Sequence, residues 1–195
     1  MDEPAPNPVR IRAVETLSEN WYTLQKVTFD HMRRDGSRQT LAREIYHIGP
    51  GAAVLPLDRE RGAVLLVQQF RLPPYINGDP ALMIEACAGM VEHGDDPAET
   101  IRKELEQEVG YHVRNLRKVF QLYMNPGVAT EIVHLFTAEY CPADHVGRGG
   151  GLRGEGEEIE VLELPLSQAW EMIATGQIVD AKTVVLLQHA HLGFR

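Results

Sequence analysis

The chain has 195 residues, 44% of them hydrophobic and 24% charged, a balance that fits one soluble globular domain with room for a small appendage. No apolar run approaches the ~20 residues that a membrane helix needs, and the acidic, proline-bearing start MDEPAPNPVR reads as a frayed tail, not a secretory leader. A formal net charge of −9 excludes holding a polyanion such as nucleic acid by the protein's general field, and two cysteines, Cys87 and Cys141, predict core thiols in a reducing cytoplasm.

In chain order, WYTLQKVTF (Trp21 to Phe29) alternates apolar and polar residues, and Ile45 and Tyr46 lie in a second extended stretch beyond Asp35-Gly36. Asp-Gly between such runs predicts a hairpin. A lone hairpin is marginally stable, so residues 1–47 are expected to form an arm that lies against the main domain, residues 48–195, or against a second subunit. Ala52 to Leu57, Ala63 to Phe70, Leu82 to Cys87 and Ile132 to Ala138 read as buried strands. Pro97 to Val109, Leu166 to Thr175 and Ala181 to His191 read as helices. Strands, one helix, strands and then helices give an α/β (α+β) domain, a mixed sheet layered between helices. The glycine-rich run Gly147 to Gly156 is expected to be a mobile loop.

The helix from Pro97 is the informative one. Asp96 suits the N-cap, Pro97 the first helical position, and Glu99 completes a capping-box spacing, while Gly110 ends the helix. Ala98, Ile101, Leu105 and Val109 share the face expected to be buried, with Glu104 and Glu108 one above the other on the adjoining stripe. Such a pair is most often a solvated acidic face, since the repulsion costs only a few tenths of a kcal/mol there. The glycine-bearing loop that precedes it shifts the balance, because hard cations take carboxylate and carbonyl oxygens together.

With Gly89, Glu104, Leu105, Glu108 and Gly110 at the required spacings and Tyr111 in the final apolar place, the segment Ala88 to Tyr111 resembles the Nudix signature. Three positions depart from it: Asp95 for the first Glu, Lys103 for Arg, and Gln107 for the first Glu of the adjacent pair. Lys103 keeps the charge without the bidentate fork, and Gln107 removes one negative charge from the site. LSENWYTL, VQQFR, the Glu85-Ala86-Cys87-Ala88 stretch that leads into the signature, LYMNPGVATE, EEIEVLELP and DAKTV extend the resemblance to the GDP-mannose hydrolase branch of the ADP-ribose pyrophosphatase-like Nudix enzymes, and Pro126 is similar in placement to a marker of ADP-ribose-type substrates.

The resemblance implies a Nudix fold with an N-terminal β-hairpin arm and Mg²⁺-dependent cleavage of the pyrophosphate of a nucleoside diphosphate sugar, with GDP-mannose ahead of ADP-ribose. It implies Mg²⁺, or Mn²⁺ in its place, on the Ala88 carbonyl, Glu104, Glu108 and Glu157, with Glu108, Glu157 and Glu158 as the catalytic acids. Arg71, Arg43, Glu44, Glu131, Lys182 and Trp21 are the implied substrate contacts. Outside that likeness, Glu157 and Glu158 read as solvated acids, the arginines as surface ion pairs, and Trp21 as hairpin packing. A homodimer through the arm would lend Trp21, Arg43 and Glu44 to the neighbouring site. His31, His47 and His189 read as structural or exposed. The departures at Asp95, Lys103 and Gln107 motivate a second reading, a catalytically weak nucleotide-sugar sensor.

Overall fold

The computed structural model describes residues 8–152, 154 and 156–193; the residues expected to form the frayed tail lie outside them up to residue 7. The chain divides into two compact units, the first made of the described residues up to Gly49 with Asn125–Glu131, the second of Pro50–Met124 and the described residues from Ile132 onward.

In the first unit β1 (Val9–Glu19), β2 (Thr23–Met32) and β3 (Arg38–His47) form an antiparallel sheet in that order. The expected hairpin is β2–β3, turning at Asp35, whose carboxylate accepts from the Ser37 N–H at 2.9 Å, and Gly36, at φ +82°. Asp30 ties the three strands together, accepting from Arg12 on β1 at 2.7 Å and Thr40 on β3 at 2.9 Å. The strand β1 was not expected, and the tail assigned to MDEPAPNPVR gives way to strand at Val9 and Arg10. Bulges between Ile11 and Ala13 and between Thr16 and Ser18 break its alternation, which hides the period-two signal. The Asn125–Glu131 segment joins this unit through Tyr46, whose N–H donates to Val128 at 2.7 Å and whose carbonyl accepts from Thr130 at 3.0 Å.

The second unit is built on β4 (Gly51–Asp58), β5 (Ala63–Phe70), β6 (Leu82–Glu85), β7 (Cys87–Met90), β8 (Arg114–Tyr123), β9 (Ile132–Glu139) and β10 (Glu160–Pro165). They form one mixed sheet of order β10-β5-β4-β9-β8, with β9 parallel to β4. Its helices are α1 (Leu72–Asn77), α2 (Pro97–Glu104), α3 (Leu166–Ala174) and α4 (Ala181–Gly193). Both faces of the central strands are covered, so β4 and β5 read as continuous apolar runs. Ala53, Leu55, Val64 and Leu66 meet Leu166, Ala169, Leu186 and Leu187 of α3 and α4 on one side. Ala52, Val54, Leu65 and Val67 meet Ile101 and Leu105 on the other. The expected layering of a mixed sheet between helices is therefore the architecture found.

The run expected to be a single strand, Leu82 to Cys87, is two. The strands β4 and β5 pair only at Leu57–Asp58 with Ala63–Val64 and then diverge. Between them β6 pairs with β5 through Glu85, and β7 pairs with β4 from Cys87. Ala86 is the switch residue.

Candidate active site

The helix begins at the expected cap, although the Asp96 side chain meets Ala98 and not Glu99, whose N–H donates to the Asp96 carbonyl instead of completing the expected capping box. The Asp96 side chain caps it, accepting from the Ala98 N–H at 3.0 Å, and Pro97 occupies its first turn. Ile101, Leu105 and Val109 are buried as expected. The α-helix was expected to run to Val109 but gives way to a π turn over Leu105–Val109, closed by the Gly110 N–H on the Leu105 carbonyl at 2.9 Å. A widened turn is compatible with the same apolar spacing, which is why the pattern did not reveal it. Its geometric consequence is that Glu108 is buried beside Val109, at 3% exposure, and does not share a solvated stripe with Glu104.

Gly110 takes φ +75° at the end of the turn and is walled by the Gly147 carbonyl, so a side chain there would be strained and would collide. Of the run expected to be mobile, Gly147, Gly150 and Gly151 are bound to this helix end, while Arg153 and Glu155 lie outside the described residues. Gly150 donates to the Glu108 carbonyl at 2.9 Å, Gly151 to Gln107 at 3.1 Å and Gly147 to Gly110 at 3.1 Å. These bonds satisfy carbonyls that a helix end leaves open.

Three carboxylates converge on the α2 side of the sheet. Glu104 lies against Gly89 so closely that a Cβ on that residue would overlap its carboxylate. Glu108 accepts from the Ala88 N–H at 3.3 Å and is hydrogen-bonded to the Cys87 thiol. Glu157 accepts from the Leu152 N–H at 2.8 Å. Burial first, then the charges of Glu104 and Glu157, push the Glu108 carboxyl up to about 7, outweighing the hydrogen bond from Cys87. Burial and the same three acids push the Cys87 thiol well above its ordinary range, so it is an inert core donor. Glu158 is exposed. Among the described residues no three His, Cys, Asp or Glu side chains stand ready to hold an ion as they are oriented. In donor chemistry the three acids nevertheless fit a hard divalent cation, which would relieve the repulsion that lifts Glu108.

The remaining expected contacts divide between the two units. Trp21, 85% exposed, sits between β1 and β2, and Arg43 and Glu44 are exposed on β3. Glu131 belongs to the same unit. In the second unit Arg71 and Lys182 are already engaged by Glu85, a residue the sequence did not single out. Arg71 forks onto its carboxylate, Nε to Oε1 at 2.7 Å and Nη2 to Oε2 at 3.2 Å, and Lys182 Nζ donates to Oε2 at 2.6 Å. Burial alone would raise Glu85, but the Arg71 hydrogen bonds and both cationic charges hold it below the usual carboxylate range. Its place at the end of an apolar strand and in the Glu85-Ala86-Cys87-Ala88 stretch before the signature marked it, without giving it a role. Asp95, Lys103 and Gln107, the three departures, are all exposed. Of the two thiols, Cys87 is buried as expected and Cys141 only partly so; both are free. His31 is exposed, and His189 packs edge-on against Phe120 at 5.3 Å.

The chain matches known proteins over most of its length. Residues 8–46 match the GDP-mannose pyrophosphatase NudK N-terminal domain, and residues 47–187 match the NUDIX domain. The chain is 50% identical over 177 residues to a protein of Cronobacter sakazakii named GDP-mannose pyrophosphatase, covering 90% of this chain and 91% of the relative. It is 48% identical over 174 residues to one of the same name from Klebsiella pneumoniae, covering 89% and 86%. A crystal structure described as an ADP compounds hydrolase superposes with a TM-score of 0.73 at 17% identity, covering 98% of this chain and 96% of the other, and so shares the fold.

Proposed function

The chain belongs to the Nudix family, and from that premise we propose that it hydrolyses the pyrophosphate bond of a nucleoside diphosphate sugar, GDP-mannose before ADP-ribose. The observation that carries the reading is the buried carboxylate Glu108, lifted to about 7 by burial and by Glu104 and Glu157. Relatives at about half identity over most of their length named for GDP-mannose favour that sugar over ADP-ribose.

In this reading the Ala88 carbonyl, Glu104, Glu108 and Glu157 would hold Mg²⁺, or Mn²⁺ in its place, and the cation would supply charge neutralisation for the diphosphate and activation of water. Arg71, 41% exposed along its side chain, offers its open edge to the phosphates. Lys182 supports the same charge from a more buried position. Water attacks one phosphorus and gives up a proton, and the bridging oxygen leaves with the sugar phosphate or the nucleotide, so GDP-mannose yields GMP and mannose 1-phosphate. Glu157 is preferred to Glu158 as the base, because it is half-buried and electrostatically coupled to Glu108.

The first unit completes the reading. It exposes Val9, Ile11, Val14 and Leu17 on β1 with Trp21 beyond it, apolar surface that suits a homodimer in which Trp21, Arg43, Glu44 and Glu131 reach the substrate. The two free thiols suit the cytoplasm. Among the described residues no helix is long and apolar enough to cross a membrane.

A panel of GDP-mannose, ADP-ribose and other nucleotide sugars, assayed with Mg²⁺ and with chelator, tests the proposal. Metal-dependent release of GMP from GDP-mannose is expected, with ADP-ribose slower. Binding without turnover on every compound would replace the enzyme by the sensor reading.

A further inference from the structure

The splay between β4 and β5 leaves Ala86 between two ladders, and its N–H is satisfied from outside the sheet by Thr183 Oγ1 at 2.7 Å. That hydroxyl in turn donates to Asp180 Oδ2 at 2.5 Å, and Asp180 caps α4 by accepting from the Thr183 N–H at 3.0 Å. The other oxygen of Asp180 accepts from Lys182 Nζ at 2.8 Å, and Lys182 reaches Glu85, which holds Arg71. One continuous polar chain therefore runs from the switch residue before Cys87 and Ala88, through the start of α4 and Glu85, to the Arg71 guanidinium, which feels the charge of Glu108. Glu85 and Thr183 within it are buried at 3% and 0% exposure.

Among the described residues of this network, Glu85 is the group hydrogen-bonded to both cations. Two positive groups, Arg71 and Lys182, are matched by two negative ones, Glu85 and Asp180, so the assembly closes its charge. Buried charges are tolerated on that condition. The fork on Glu85 uses one edge of the Arg71 guanidinium and fixes the plane of the rest. A substrate contact so fixed loses less rotamer entropy when it binds, which is the energetic value of preorganisation.

We propose that Glu85 is a positioning residue for substrate: it aims Arg71 and holds Lys182 against the β6–β7 switch, so that the cationic wall of the site is set before the diphosphate arrives. The inference rests on the nucleotide-sugar reading above for what Arg71 meets, and it assigns Glu85 no contact with substrate. A glutamine at this position keeps the shape but turns an amide donor toward donors, so the fork or the lysine bond is lost.

The test is a double-mutant cycle on the full-length protein with GDP-mannose and Mg²⁺, reading kcat, KM and, by calorimetry, affinity. E85Q is expected to raise KM about tenfold with a smaller change in kcat, the mark of lost ground-state binding. In an R71A background the same substitution is expected to raise KM by clearly less, about threefold, because the share of its effect that passes through Arg71 is already gone and only the Lys182 share remains. E85D, which keeps the charge with a shorter reach, is expected to recover part of the loss and carries the cycle if E85Q does not fold. A lowered melting temperature with unchanged KM would reduce Glu85 to a structural role and overturn the proposal. So would an equal penalty in the wild-type and R71A backgrounds. If the wild-type protein binds GDP-mannose without cleaving it, the enzymatic reading falls and the affinity cycle alone decides Glu85. If it neither binds nor cleaves it, both fall.

Discussion

Glu85 and Glu108 are equally hidden, each 3% exposed, and the protein treats them in opposite ways. Glu85 is closed by Arg71 and Lys182 and held below the ordinary carboxylate range; Glu108 faces Glu104 and Glu157 and is lifted to about 7. Burial raises both carboxyls; at Glu85 the two cations outweigh it, and at Glu108 the neighbouring acids add to it. The difference separates an ion network that matches its own charge from a cluster that the proposed cation would complete. The sharpest way to break the comparison is Glu108→Gln. If the open cluster is the catalytic centre, turnover of GDP-mannose should fall about a hundredfold or more, with an unchanged circular dichroism spectrum. Activity within a few fold of wild type would move the centre elsewhere.

The second prediction concerns pH and the metal-free protein. The folded Glu108 carboxyl titrates near 7 against an ordinary 4.5, so the folded state binds the proton more tightly than the unfolded state does. That contribution to stability is intact below pH 4.5 and is lost as pH rises through 7, amounting to about 3 kcal/mol by linkage. Denaturant melts in chelator from pH 4.5 to 8 should show the decline in the wild type, set against the response of the other groups, and its absence in Glu108→Gln. Added Mg²⁺ should restore the lost stability at pH 8. Identical pH profiles for the two proteins would show that Glu108 is not held as described.

The smallest expected effect belongs to the sequence departures. Gln107 is exposed and meets the loop only through its carbonyl, which accepts from Gly151. Gln107→Glu should leave kcat equal or raise it by no more than about threefold, in keeping with a surface change. A marked fall would give the neutral side chain a role of its own.

These contrasts also explain how far the molecule can be read from its sequence. Both faces of β4 and β5 are covered, so their apolar runs are unmistakable, and the Asp96-Pro97 start of α2 announces itself through its cap. The strand β8 did not, because Leu116, Val119 and Leu122 are its half-buried side chains and their spacing of three, produced by register shifts, imitates a helix. The π turn was invisible because Leu105 and Val109 keep their spacing while the backbone widens and carries Glu108 inward. Glu104, Glu108 and Glu157 were legible through a resemblance and through the glycines around them. The role of Glu85 was not, since its meaning lies in cations brought to it from the β5–α1 junction and from α4 by the fold. Lys182 illustrates the same limit: its presence was anticipated, its engagement by Glu85 and Asp180 was not.

The most direct measurement is a titration of the metal-free protein with Mn²⁺, read by electron paramagnetic resonance, on the wild type, Glu108→Gln and Glu85→Gln. The account predicts that Glu108→Gln weakens cation binding by about ten- to a hundredfold or more, while Glu85→Gln leaves it within about threefold. Equal binding by wild type and Glu108→Gln, or a loss confined to Glu85→Gln, would contradict it.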